Sequence, residues 1–78
     1  MKVTQRFTTA LELRRRRKGN NGRGIIAYHE IYRMAGCDCD PSYLSQMKNG
    51  VREINDQNKH QILKVAKFLK LTEEEALE

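Results

Sequence analysis

The segment Asp40-Pro41-Ser42-Tyr43-Leu44-Ser45-Gln46-Met47-Lys48-Asn49-Gly50 carries its own start and stop signals. Asp40 offers a carboxylate to the free amides of a helix N-terminus, and Pro41 fits the first helical position, where its missing N–H costs nothing. Asn49-Gly50 closes the helix, because glycine accepts the left-handed backbone that follows helix C-termini. Within these bounds Ser42, Ser45, Gln46 and Asn49 recur at i, i+3, i+4 and i+7 and share one face. Leu44 and Met47 point the opposite way, while Tyr43 and Lys48 flank the polar strip. A short helix with an apolar back and an acid-free strip of hydroxyls and amides suits the floor of a DNA major groove, where such groups pair with base edges.

The neighbouring segments predict the rest of a helical domain. On the N-terminal side, Ala27, Ile31, Met34 and Ala35 repeat at helical spacing and Gly36 ends the pattern, leaving Cys37-Asp38-Cys39 as a turn. Further back, Gly19-Asn20-Asn21-Gly22-Arg23-Gly24 reads as a loop. Thr9 and Glu12 have the spacing of a capping box, which predicts a helix over Ala10–Lys18 with Leu11 and Leu13 turned to the core. Residues 1–8 then form an extended arm. On the C-terminal side, residues 51–57 read as a polar connection in which Val51 and Ile54 cover the core. Ile62, Val65, Ala66 and Leu69 predict a helix from Asn58 to Lys70 with Lys59, Lys64, Lys67 and Lys70 mostly on its wet side. Thr72 and Glu75 form a second capping box that opens a short last helix. The expected fold is all-α: one domain over residues 9–78, a small bundle of about four or five helices with a central helix-turn-helix and a basic, glycine-rich insertion at 19–25.

Of the 78 residues, 15 are Lys or Arg and 10 are Asp or Glu, a net charge of +5. The distribution says more than the sum. Residues 1–24 hold eight Lys/Arg against one acid, Glu12, whereas residues 25–78 hold seven against nine acids. A basic front half beside a near-neutral remainder is the footprint of a polyanion binder. Arg14-Arg15-Arg16-Arg17-Lys18 surrounds its helix, so some of these side chains must lie along the domain and pack through their stems. From this run and the loop, Arg14, Arg16, Arg17, Lys18 and Arg23 are expected to grip the nucleic-acid backbone, with the glycines allowing close approach to a minor groove.

Other classes find little support. No apolar run approaches the roughly 18 residues a membrane span needs, and no secretory pattern opens the chain, so no membrane partner is expected. Cys37 and Cys39 are too close for an ordinary disulfide, and their spacing is tighter than paired zinc ligands, so neither a metal nor another cofactor is expected. Walker-type phosphate loops, nucleophile elbows and paired carboxylates in an apolar setting are missing, and the expectation is that the chain is not an enzyme.

Three segments in order resemble the Cro/phage-repressor type of helix-turn-helix, the XRE family. They are Ile31-Tyr32-Arg33-Met34-Ala35-Gly36, then Ser42-Tyr43-Leu44-Ser45-Gln46-Met47-Lys48-Asn49-Gly50, then Ile62-Leu63-Lys64-Val65-Ala66-Lys67-Phe68-Leu69-Lys70-Leu71-Thr72. The resemblance implies a lambda-repressor-like domain that binds double-stranded DNA in the cytoplasm, at the nucleoid, as a transcriptional regulator of repressor type. It implies base contacts from Ser42, Tyr43, Ser45 and Gln46, and backbone contacts from Tyr28, His29, Lys48, Asn49 and Arg52. A homodimer is implied by the need to read two half-sites. The chain departs from the family in the longer turn Cys37–Asp40, in the insertion Asn20–Ile25, and in Tyr32, where the family usually has a small alanine. Two other readings stand beside this one: an antitoxin or adaptor that docks a protein partner through the acidic Glu73–Glu78 tail, and an RNA-binding or architectural protein driven by the arginine run.

Overall fold

Thr4, rather than Thr9, opens the first helix. In the computed structural model, which describes residues 1–17 and 26–78, α1 spans Gln5–Arg17. Thr4 Oγ1 accepts from the Phe7 amide at 3.1 Å, as an N-cap residue does. The expected arm is therefore helical from Gln5 onward, and Phe7 is a core residue. The Thr9–Glu12 spacing was misleading because Glu12 has better partners, Tyr28 across the fold and Arg15 one turn along the same helix. Phe7 and Leu11, at i and i+4, form the buried stripe of α1. Leu13 lies off that stripe and is 62% exposed, contrary to expectation.

Four further helices follow among the described residues: α2 (Tyr28–Met34), α3 (Pro41–Lys48), α4 (Lys59–Phe68) and α5 (Glu73–Ala76). The chain is a small all-α bundle. Its core joins Phe7 and Leu11 of α1 to Ile31 and Tyr32 of α2, Leu44 and Met47 of α3, and Ile62, Val65 and Ala66 of α4. Ile54 caps this core from the connection between α3 and α4, while Val51 is 77% exposed and covers nothing. On α2, Met34 faces solvent and Tyr32 takes the buried place beside Ile31. The two ends of the chain are stitched together: Val3 bridges Leu77, Thr4 N donates to Ala76 O at 2.9 Å, and Glu78 N donates to Lys2 O at 3.0 Å.

Helices α2, α3 and α4 end by the same device. The amide of the second residue past each cap returns to a carbonyl in the last turn: Cys37 N to Tyr32 O, Val51 N to Gln46 O, and Leu71 N to Ala66 O, at 3.0, 2.9 and 2.8 Å. This arrangement forces one residue into left-handed backbone. That residue is Gly36 after α2 and Gly50 after α3, but Lys70 after α4, with φ of 84°, 80° and 64°.

Two buried amides on the first turns of α4 fix where α3 sits. Asn58 Nδ2 donates to the Tyr43 hydroxyl at 3.2 Å and to Glu53 O at 3.1 Å, and its Oδ1 accepts from Asn55 N at 2.7 Å. Gln61 holds the link between α2 and α3: its Oε1 accepts from Asp38 N at 3.2 Å, and its carbonyl faces the Cys37 thiol. Lys64 adds an ion pair with Asp38 at 3.0 Å. Buried polar groups satisfied in this way specify one geometry for a small core.

Candidate nucleic-acid interface

Asp40 starts α3 as its composition predicts, accepting from Ser42 N at 2.8 Å through its side chain. With Leu44 and Met47 sealed into the core, the opposite side of α3 is set outward. Ser42 and Asn49 are exposed there, and Ser45 and Gln46 are half-buried at its margins. No acidic residue lies on α3, and the one just before it, Asp40, has its carboxylate on the Ser42 amide.

Each margin of this surface carries a tyrosine with cations over its ring. On one side Arg52 lies 4.5 Å from the Tyr43 ring centroid, and its Nε donates to Gln46 Oε1 at 3.2 Å. Tyr43 is half-buried at the edge of the outward strip, its hydroxyl accepts from Asn58, and its ring seats Arg52. On the other side Arg15 and Lys48 lie 3.9 and 4.5 Å from the Tyr28 ring centroid. Tyr28 stacks on Tyr32 at 6.2 Å, and the Tyr32 hydroxyl meets Ser45 Oγ at 3.4 Å. Tyr32 thereby touches the polar margin of α3. A cation over the face of an aromatic ring is attracted by it, which holds these side chains at the margins of the strip.

The remaining expected contacts are scattered. His29 is exposed on the first turn of α2, and Asn49 is exposed at the end of α3. Arg16 faces solvent on α1 and Arg17 closes that helix, while Lys18, Arg23 and the loop at 19–25 lie outside the described residues. Arg14 is used for packing: it continues the Phe7–Leu11 stripe at i+7 and lies 5.0 Å from the Phe68 ring centroid. Arg15, which sequence reasoning passed over, is the member of the run that reaches the α3 margin. Its Nε donates to Ile26 O at 3.0 Å and its Nη1 to Glu12 Oε2 at 3.3 Å. The Glu12–Arg15 spacing, i to i+3 on one helix, was the available signal.

Glu12 organises this corner. The Tyr28 hydroxyl donates to Glu12 Oε1, and Lys48 Nζ donates to the Tyr28 oxygen at 3.5 Å. The Tyr28 hydrogen bond, helped by Arg15, holds the Glu12 carboxyl below the usual carboxylate range. Burial, reinforced by Glu12, pushes the Tyr28 hydroxyl up. Beside the C-terminus of α3 an open groove of about 630 Å³ is bordered by Lys2, Lys48 and Arg52 against a single acid, Glu53. The Cys37 thiol, by contrast, is pushed up to about 11, chiefly by burial. Burial also raises the Cys39 thiol, so neither cysteine resembles an activated nucleophile.

Among the described residues no grouping of His, Cys, Asp and Glu is arranged to hold a metal ion, and no helix is long and apolar enough to cross a membrane. No family model, curated protein or solved structure matches the chain.

Proposed function

We propose that this chain binds double-stranded DNA sequence-specifically through α2 and α3, used as a helix-turn-helix of the Cro/phage-repressor kind, and regulates transcription by occupying an operator. The observation that carries the proposal is the surface of α3: an acid-free strip of Ser42, Ser45, Gln46 and Asn49, backed by fully buried Leu44 and Met47 and bordered on both sides by tyrosine-seated cations. A major groove presents base edges between two phosphate strands, so a reading strip between two cationic margins is the complementary arrangement.

In this reading Gln46 makes the most discriminating contact, pairing its amide with an adenine edge, and Ser42 and Ser45 add hydroxyl contacts. Arg52 takes one backbone strand, Lys48 and Arg15 take the other, and His29 and Asn49 contribute at the edges. Phosphate contacts fix register without reading sequence. One α3 spans only a few base pairs, so two copies on a twofold-symmetric site would supply the required length.

Affinity for a random duplex and for a selected sequence pool, each measured against salt, tests the proposal. Enrichment of one motif over bulk DNA by about a thousandfold or more supports a specific regulator. Steep salt dependence without enrichment would move the reading to an architectural or RNA-directed protein. Failure to bind duplex DNA at low salt would sink it and favour a protein partner.

A further inference from the structure

Glu12 is the one acid among residues 1–24, and it pairs with Arg15 at 3.3 Å. It receives a hydrogen bond from the Tyr28 hydroxyl and another from the Arg15 guanidinium, and Lys48 donates to the same tyrosine oxygen. α1, α2 and α3 thus meet in one short chain of charge-assisted bonds. A guanidinium and a phenolic hydroxyl donating to one anion, with an ammonium behind the hydroxyl, is also a donor set that a phosphodiester oxygen takes. The cluster is open to solvent: the side chains of Glu12 and Arg15 are 34% and 22% exposed. Lys48 belongs to α3 itself, so an anion bound here lies at the margin of the reading strip.

We propose that the Glu12 carboxylate occupies the seat of a backbone phosphate in the DNA-free protein, and that duplex DNA binds by displacing it from Arg15 and the Tyr28 hydroxyl, beside Lys48. This inference rests on the DNA-binding reading above. Glu12 is then an internal competitor. It lowers affinity for every duplex alike, because the competition concerns the backbone and ignores the bases. A larger share of the binding free energy is left to the base contacts of α3, and the protein is less readily trapped on bulk DNA. The carboxylate also keeps Arg15 over the Tyr28 ring, where Lys48 is seated too, so the incoming phosphate meets donors already in place.

The test uses the full chain and a random-sequence duplex, with affinity measured over a range of salt. Glu12→Gln keeps the size and a hydrogen-bond acceptor but removes the charge. It is expected to bind roughly threefold to fivefold tighter at low salt, with a salt slope steeper by up to about 0.9, the equivalent of one more phosphate contact. The gain should vanish when Glu12→Gln is combined with Arg15→Ala and Lys48→Ala, because no cations remain to be released. Equal or weaker binding by a Glu12→Gln protein of unchanged melting temperature would overturn the inference.

A second measurement needs no variant. The Glu12 carboxyl carbon, followed by NMR in the wild-type protein, should shift toward its free-carboxylate position as duplex is added. A signal that stays put while DNA is bound would overturn the displacement. A wild-type protein that binds no duplex would overturn the DNA reading itself, and this inference with it.

Discussion

Replacing Lys70 with glycine is expected to stabilise the protein. Lys70 occupies left-handed backbone, φ 64°, at the end of α4, in the place that Gly36 and Gly50 fill after α2 and α3. A residue bearing a Cβ is disfavoured there by roughly 1–2 kcal/mol. Glycine removes that cost but adds freedom to the unfolded chain worth roughly 0.5–1 kcal/mol. Lys70 is exposed and takes part in no ion pair among the described residues, so little else is lost. The net gain is about 0.5–1 kcal/mol, which for a domain of this size raises Tm by roughly 2–8 °C. The reverse changes, Gly36→Ala and Gly50→Ala, should cost a similar amount. A Cβ at either position meets nothing within 4 Å, so only the backbone term acts. Urea and thermal unfolding of the three variants measure this directly. A Lys70→Gly protein less stable than the parent, or neutral glycine replacements, would refute the assignment of strain to these backbone positions.

Four further outcomes follow from the packing. Ile54→Ala should cost about 2–5 kcal/mol by chemical denaturation, whereas Val51→Ala should change stability by less than about 0.5 kcal/mol, because Ile54 is 1% exposed and Val51 77%. Asn58→Ala should destabilise by about 1–3 kcal/mol and Tyr43→Phe by about 0.5–1.5 kcal/mol, since the first strands a backbone amide as well as losing a bond to Tyr43. Arg14→Ala should lower Tm with no change in the salt slope of DNA binding, and Arg52→Ala should reduce that slope by about 0.9 with Tm nearly unchanged. The Cys37 thiol, raised from 9.0 to about 11, should be alkylated far more slowly in the folded than in the unfolded chain at pH 9. Its contribution to stability is fully present below pH 9 and is lost as pH rises through about 11, so unfolding measured across that range should ease more in the parent than in Cys37→Ala.

Start and stop chemistry carried most of the fold. Asp40, Pro41, Gly36, Gly50 and the Thr72–Glu75 box each act where their side-chain or backbone preferences place them. Those signals are local, and the bonds they make lie within a few residues. The failures came where another partner outbid the expected one. Glu12 left Thr9 for the distant Tyr28 and for Arg15 one turn on, and α1 began earlier than its box suggested. Tyr32 displaced Met34 from the core because its ring stacks on Tyr28 and its hydroxyl finds Ser45. The outward strip of α3 was legible for a simple reason: Leu44 and Met47 fix its rotation, and both are apolar. Lys48, Arg52 and Tyr28 were expected at this surface through the resemblance, but the part of Arg15 and the seating of the cations on Tyr28 and Tyr43 were not legible, because they are assembled from α1, α2, α3 and the connection after α3.

The arginine run shows why such an assembly escapes a count of charges. Five adjacent cations predict one broad grip, but a helix distributes neighbours around its axis, and each then meets a different surface. Arg14 falls on the buried stripe and covers Phe68, while Arg15 falls one step away and meets Glu12, Ile26 and Tyr28. One arginine of this pair therefore belongs to stability and the other to the α3 margin. Arg52, which stands alone in sequence, reaches the opposite margin because its amide and that of Val51 both return to Gln46 O, at 3.0 and 2.9 Å. That shared carbonyl ties the position of a cation proposed to grip the backbone to the residue proposed to read the base. Moving the turn should therefore disturb affinity and base preference together. Gly50→Ala offers the test: if the fold tolerates it, binding to the selected motif should weaken more than binding to bulk DNA, whereas equal weakening would uncouple Arg52 from Gln46.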